Sequence, residues 1–271
     1  MMGTKRRASR DMARMDGKHF SLDSVLTVLS FLILVVVVVI PMVMIVYNTF
    51  FYEGKFDTSL FTQIILDPGN VAAMWNTIKI ALLVTLFGTI IGLFFAWLLG
   101  RSDIPLKGLM RSMFTIPYMF PPFFGAMAWE LLLSPRSGYL NKWLMATFGL
   151  SKAPFNINSI GGIIFVECSY YFPFVFMQVV SALERMDPTL EESARIAGAK
   201  QWYVTRRITM PLVLPATSAG ALLILTSSLS HFGVPSILGF SKKIYTLPTR
   251  IYQLISRASG SFQGIRKGAA L

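Results

Sequence analysis

The chain has 271 residues, 54% hydrophobic and only 14% charged, with a positive mean hydropathy. Soluble domains carry roughly a quarter charged residues, so a water-soluble fold of this length would have too few charges to cover its apolar surface, and lipid is the solvent that fits. The net charge of +12 does not indicate nucleic-acid binding, because the Lys and Arg residues sit between apolar runs and form no patch among stacking aromatics.

The first stretch, residues 1–24, is a polar tail with Lys5, Arg6, Arg7, Arg10, Arg14 and Lys18. Val25 to Tyr47 then carries no charge and includes the run Val35 to Val39. A secretory signal has an apolar region of only about 7–15 residues. This one is long enough to cross about 30 Å of hydrocarbon as a helix, and is read as an uncleaved first span.

Four more spans are predicted. The second, Ile78 to Leu99, contains Gly88-x-x-x-Gly92, a spacing that lets another helix approach closely. The third, Ser112 to Leu133, contains Pro117, Pro121 and Pro122, which should kink or break it. The carbonyls so freed need partners in protein or in a wet cavity. The fourth runs from Ile160 to Leu183, and the fifth from Leu212 to Leu229 with Pro215 in its first turn, where proline is tolerated.

Basic residues set the orientation. The tail has six, the 100–111 loop has Arg101, Lys107 and Arg111, and the 184–211 loop has Arg185, Arg195, Lys200, Arg206 and Arg207. The first opposite segment has Lys55 alone, and the second has Arg136, Lys142 and Lys152. The bias places the N-terminus inside. The region after residue 230, with Lys242, Lys243, Arg250, Arg257, Arg266 and Lys267, weakens the contrast.

Little in the chain points to catalysis. One cysteine, Cys168, excludes an internal disulfide, and His19 and His231 form no cluster with it. There is no His-Glu-x-x-His, no Gly-x-Ser-x-Gly and no phosphate-binding loop, so no metal or catalytic site is expected. Within the spans, Glu167 stands out, with Gln178 as a second polar group on the same span. An ionisable group there either pairs with another helix or lines a path. Lys79, near a span end, reaches the interface by snorkelling.

The most informative segment is Asp187-Pro188-Thr189-Leu190-Glu191-Glu192-Ser193-Ala194-Arg195-Ile196-Ala197-Gly198. Asp187 suits a helix N-cap and Pro188 the first helical position. Glu191 and Glu192 lie early, where the dipole favours negative charge, and Gly198 suits a left-handed C-terminal cap. Leu190, Ala194 and Ala197 make one narrow apolar face. A second short helix, Gln201 to Ile208, is expected before Pro211. Taken alone, these features fit either a helix that docks in a partner's groove or an ordinary connecting loop.

The segment resembles the cytoplasmic loop motif of permeases of binding-protein-dependent ABC importers: Glu-Ala-Ala, three residues, Gly, nine residues, Ile-x-Leu-Pro. Glu192-Ser193-Ala194 matches with Ser for the first Ala, Gly198 follows after three residues, and Ile208 to Pro211 matches with Met210 for Leu. The resemblance implies an all-α polytopic transmembrane helical bundle over residues 25–271, in the cell inner membrane with its N-terminus cytoplasmic. It implies a coupling loop at 184–211, formed by Glu191, Glu192, Ser193, Ala194, Gly198, Ile208 and Pro211, that sits on an ABC ATPase subunit, with Glu192 in contact. ATP and Mg would be held by that subunit and no cofactor by this chain. A second permease half or copy and an extracytoplasmic solute-binding protein complete the implied assembly.

The segments His231 to Gly239 and Tyr245 to Tyr252 look like the external stretch of ferric-iron permeases, whose related branches carry polyamines, thiamine or phosphonates. Ferric iron is the cargo so implied. The family core has a sixth span, and Ile265 to Leu271 reads as its first residues, so five spans are visible. The chain then reads as part of a longer or fused permease, or as a shortened product. An ATP-independent channel or secondary transporter would also account for the spans but not for the spaced loop, and an incomplete, non-functional permease fragment would account for the ending.

Overall fold

The computed structural model describes residues 22–52, 55–56, 58–257, 267–268 and 270–271. The six basic residues of the tail, and Ile265 and Arg266 of the expected sixth span, lie outside the described residues. Two compact units divide near residue 61.

The first unit holds the first span. Helix α1 (Leu22–Leu34) passes through a π-turn (Val35–Val39) into α2 (Ile40–Phe50). Its apolar side chains, from Val25 through Tyr47, are almost all exposed, as expected for a helix solvated by lipid. Two short antiparallel strands follow, β1 (Phe51–Tyr52) and β2 (Lys55–Phe56), which an all-helical reading did not include. Helix α3 (Ser59–Leu66) follows them.

The second unit is built on three long helices. These are α4 (Pro68–Arg101), α8 (Ile160–Arg185) and a rod from Gln201 to Leu229 comprising α10 (Gln201–Val204), a π-turn (Thr205–Thr209) and α11 (Met210–Leu229). Between them lie α5 (Lys107–Met119), α6 (Pro122–Leu133), α7 (Tyr139–Phe148) and α9 (Thr189–Ile196), and after them α12 (Gly233–Gly239) and α13 (Leu247–Arg257). Over its apolar window α8 is 61% buried, against 28% for each of its two long neighbours, so α8 is the central helix. Its Val175, Phe176 and Val179 are buried, Val175 against Gly92 of α4 and Gly220 of α11, and Phe176 edge to face with Phe114 of α5.

Small residues set this packing. A Cβ added at Gly92 would lie 2.8 Å from the Phe172 carbonyl oxygen and 2.8 Å from Val175 Cβ, and one at Gly220 would lie 2.6 Å from Val175 Cα. Gly88 faces Ile224. The Gly88-x-x-x-Gly92 spacing therefore does what it predicts and brings α4 backbone to backbone with α8. In lipid, where apolar surface gains little from leaving its solvent, such close contact is what holds helices together.

Proline explains where the expectations shifted. The second span begins at Pro68, ten residues earlier than read, because Asp67 caps it: its carboxylate accepts from the amides of Gly69 (2.9 Å) and Asn70 (3.1 Å). The third span is broken outright at Phe120–Pro121 into α5 and α6. At 1.5 Å per residue each half reaches only about 20 Å, too short to cross alone. The expected separate helix at Gln201 to Ile208 is instead the start of the last long helix, which places Pro215 in its interior and not in a first turn. The reason is the π-turn. Pro211 has no N–H for the Arg207 carbonyl and its ring crowds that group. The Met210 amide bonds five residues back, to Thr205, which widens the turn ahead of the proline and keeps the rod continuous. The first span repeats the device, with Ile40 bonding Val35 just before Pro41.

Candidate functional site

The 184–211 loop and the 100–111 loop meet at one end of the three-helix core, joined by two ion pairs. Arg111 meets Glu184 at 2.6 Å and Arg101 meets Glu191 at 2.9 Å. Helix α9 crosses this end.

Both ends of α9 are fixed as its sequence implies. The Asp187 carboxylate accepts from the Thr189 amide at 2.9 Å, and this bond, with a contribution from the Thr189 side chain, holds the carboxyl below its usual range. At the other end Gly198 has φ +86°, the left-handed region that side chains avoid. Its amide bonds Arg195 (2.9 Å) while the Ala199 amide bonds Ala194 (3.0 Å), the paired closure of a Schellman cap.

The faces of α9 differ from the expected pattern. Glu191 is only 7% exposed, the one buried residue of the helix, whereas Leu190 is exposed, Ala194 half-buried and Ala197 exposed. The helix thus turns a carboxylate inward and not its narrow apolar stripe. The Glu191 carboxylate takes a bond from Thr209 Oγ1 (2.6 Å) beside the Arg101 contact, and Arg195 stands 3.6 Å away. Glu192 and Ile196, one turn apart and therefore on one face, point out, with Ile196 88% exposed. Trp202 and Tyr203 are also exposed just beyond, Ser193 is exposed, Ile208 is half-buried and Pro211 exposed.

Away from this end, Glu167 is fully buried inside α8. Its carboxylate accepts from Ser228 Oγ on α11 and lies 3.0 Å from His231 Nδ1. His231 borders a cavity of about 320 Å³ whose walls include Tyr118, Phe120, Tyr171, Phe174 and Ser227. The break between α5 and α6 opens onto this cavity through Pro117, Phe120 and Pro122, where irregular backbone is tolerated at membrane depth. At about 100° per residue, Glu167, Tyr171, Phe174 and Gln178 share a stripe of about 60° on α8. Glu167 stands behind one end of the cavity, and Gln178, exposed, lies beyond the other along that stripe.

Sequence reasoning missed Ser228 and His231 as partners of Glu167, and Arg101 and Thr209 as partners of Glu191. These lie 18 to 90 residues away along the chain, with no periodicity to link them. The one available signal was polar residues at the ends of apolar runs. Among the described residues, no cluster of His, Cys, Asp and Glu could hold a metal ion.

Known proteins resemble the chain over most of its length. Residues 88–263 match the family described as "Binding-protein-dependent transport system inner membrane component". The molybdenum transport system permease protein ModB of Escherichia coli (strain K12) is 33% identical over 201 residues, covering 73% of this chain and 85% of that protein. The sulfate transport system permease protein CysW of Synechocystis sp. is 28% identical over 238 residues, covering 87% and 83%. The spermidine/putrescine transport system permease protein PotB of Escherichia coli (strain K12) is 27% identical over 228 residues, covering 81% of each. A chain of the bacterial alginate ABC transporter, solved in complex with alginate pentasaccharide-bound periplasmic protein, shares the fold with a TM-score of 0.70, over 97% of this chain and 89% of that chain at 21% identity.

Proposed function

Since the chain belongs to the family of inner membrane components of binding-protein-dependent transport systems, a set of multi-pass permeases of ABC importers, we propose that its α9 end is the coupling surface for an ATPase subunit. ATP and Mg belong to that subunit. A second permease half or copy completes the path across the bilayer, and an extracytoplasmic binding protein delivers the solute. In this reading the α9 end is cytoplasmic, and so is the N-terminus.

The observation that carries the reading is the presentation of α9. Its two ends are capped, its buried carboxylate fixes it to the core, and Glu192 and Ile196 project from its outer face. A rigid short helix with a mixed charged and apolar outer face suits a groove on another protein. A channel or secondary transporter would not account for the spaced motif that this helix carries. Transport itself is linkage: ATP shifts the permease only as far as the ATPase's states contact α9 differently.

The path is assigned to the cavity beside α8, with Glu167 acting through His231 and Gln178 at its far end. The cargo proposed is ferric iron. It rests on the resemblance of His231 to Gly239 and Tyr245 to Tyr252 to the ferric-iron branch; the relatives named above are described for molybdenum, sulfate and spermidine/putrescine.

Co-purification with the ATPase subunit tests the docking. Glu192→Arg and Gly198→Pro should each abolish the complex while leaving a folded permease, and a complex that survives both sinks the reading. Adding the cognate binding protein loaded with ferric ion to the reconstituted complex tests the cargo. Ferric ion should stimulate ATP hydrolysis where molybdate, sulfate and spermidine do not.

A further inference from the structure

The two adjacent glutamates of α9 face opposite ways, and the inward one has no place in docking. The Glu191 carboxylate joins three parts of the molecule. Oε1 accepts from Arg101, the last residue of α4, at 2.9 Å, and from Thr209, the last residue of the π-turn that leads into α11, at 2.6 Å. Oε2 lies 3.6 Å from Arg195, one turn along α9 itself. Helix α8 is tied to α9 through the chain, across Met186 to Pro188. The last long helix is likewise tied by the chain, across Ala197 to Lys200, so every long helix of the second unit is connected to α9, and the side-chain links to α4 and to that last helix both pass through one carboxylate.

The surroundings make this joint stiff. The Glu191 side chain is 9% exposed and that of Arg101 22%, so water competes little for the pair. A charge-assisted bond in such a site is shorter and stronger than a neutral one. The same Nη2 of Arg101 also lies 3.9 Å from Met186 Sδ, and the buried Nε has no hydrogen-bond partner among the described residues. The guanidinium is thus aimed at Glu191 even though one of its donors goes unsatisfied. The exposed pair Arg111–Glu184, with both side chains about half exposed, is the contrasting case at the same end, since solvent-exposed ion pairs contribute little.

We propose that Glu191 is a positioning residue for energy coupling: it passes displacement of α9 to α4 and α11, while Glu192 faces the ATPase. This rests on the docking reading. A lever transmits only through contacts that do not yield, and without Glu191 the helix is tethered to the core chiefly by its own chain ends.

The test uses the whole transporter, reconstituted with its ATPase and binding protein. Folded yield, ATPase association, and the stimulation of ATP hydrolysis by the binding protein are measured side by side. Glu191→Gln keeps the shape and an acceptor for Thr209 but loses the charge. It should retain ATPase association within about twofold, and lose stimulation by roughly tenfold, inside the range of ordinary coupling energies. Thr209→Val and Arg101→Met, each cutting one arm, should lose part of the stimulation, and they serve as the readout if Glu191→Gln folds poorly. The exchange Glu191→Arg with Arg101→Glu should recover part of it.

Normal stimulation in the folded Glu191→Gln complex, or in both single-arm variants, overturns the proposal. So does loss of ATPase association as complete as that of Glu192→Arg, since Glu191 would then be a docking contact. If the wild-type chain binds no ATPase, the docking reading and this inference fall together. If it does, the variants judge the inference alone.

Discussion

Among the described residues the two buried glutamates sit at opposite ends of the same helix seam and are held by different chemistry. Glu191 meets Thr209 where the last long helix enters α11, and Glu167 meets Ser228 near the other end of α11. Each carboxylate accepts from one hydroxyl of that helix and lies within bonding distance of one nitrogen group on an element other than its own. For Glu191 that group is Arg101, a guanidinium that keeps its charge under all ordinary conditions. For Glu167 it is His231, whose ring nitrogen donates or accepts according to its tautomer. Burial is similar, at 7% and 0%, so burial does not separate their roles. Partner and setting do. The ion pair at the foot of a surface helix suits the mechanical joint proposed above, whereas the carboxylate–imidazole pair behind a cavity is what the proposed path reading rests on.

The comparison breaks most readily at Glu167. Replacing it with alanine strands Ser228 and His231 in the interior without their shared acceptor, and losing one partner of a buried pair costs about 3–5 kcal/mol. Glu167→Ala should therefore lower the folded fraction recovered by size-exclusion chromatography in detergent, and Glu167→Gln should recover most of it by keeping an acceptor. Transport per folded molecule then decides the role. If Glu167→Gln transports normally, the carboxylate is structural and the path assignment fails at that residue.

A smaller effect is expected midway along the seam, at Gly92. An added methyl group meets the Phe172 carbonyl and Val175 Cβ, both at 2.8 Å, and one of those contacts is backbone, which cannot turn aside. Gly92→Ala should cost about 1–3 kcal/mol in overpacking, seen as a lower unfolding midpoint in detergent. It should disturb both ends, since α4 carries Arg101 and packs along α8. A midpoint unchanged from wild type would mean that the helices can separate locally, and that the ends are less firmly joined than the glutamate comparison assumes.

How far the sequence reveals these features depends on the range of the interaction. Spans, caps and the broken third helix are local, written in runs of apolar residues and in Pro117, Pro121, Asp187 and Gly198, and their presence was legible although the second and last long helices begin earlier than expected, at Pro68 and Gln201. The glycine spacing in α4 was legible because it encodes a contact at one helical period. The two glutamates were legible as positions but not as partners. Thr209 to Glu191 spans a loop, and His231 to Glu167 spans 64 residues, so only the folded chain brings them together. The error at Gln201 to Ile208 has another origin. Pro211 was read as a stop, but the i→i−5 bond from Met210 to Thr205 accommodates it, and nothing in residue type announces a π-turn.

The smallest effect separates the two carboxylates that hold α9, Glu191 from inside and Asp187 from outside. Asp187 is fully exposed, and its carboxyl is lowered chiefly by the Thr189 amide that it accepts. A carboxyl lower in the folded state than in the unfolded one stabilises at pH above its unfolded value, near 3.9 for an ordinary aspartate, and that contribution disappears as pH falls through the lower folded value. Near neutrality the cap is therefore fully formed, and it weakens only in acid. Hydrogen exchange at Thr189 to Glu192, referenced to an unfolded peptide, should be modestly faster in Asp187→Ala at neutral pH, and the wild type should converge on the variant as the solution is taken well below pH 4. The unfolding midpoint should barely move, because solvent replaces the lost acceptor. Equal exchange in the two proteins at neutral pH would mean that Glu191 and the Gly198 cap hold the helix without Asp187, and would place the whole burden of fixing α9 on its buried face.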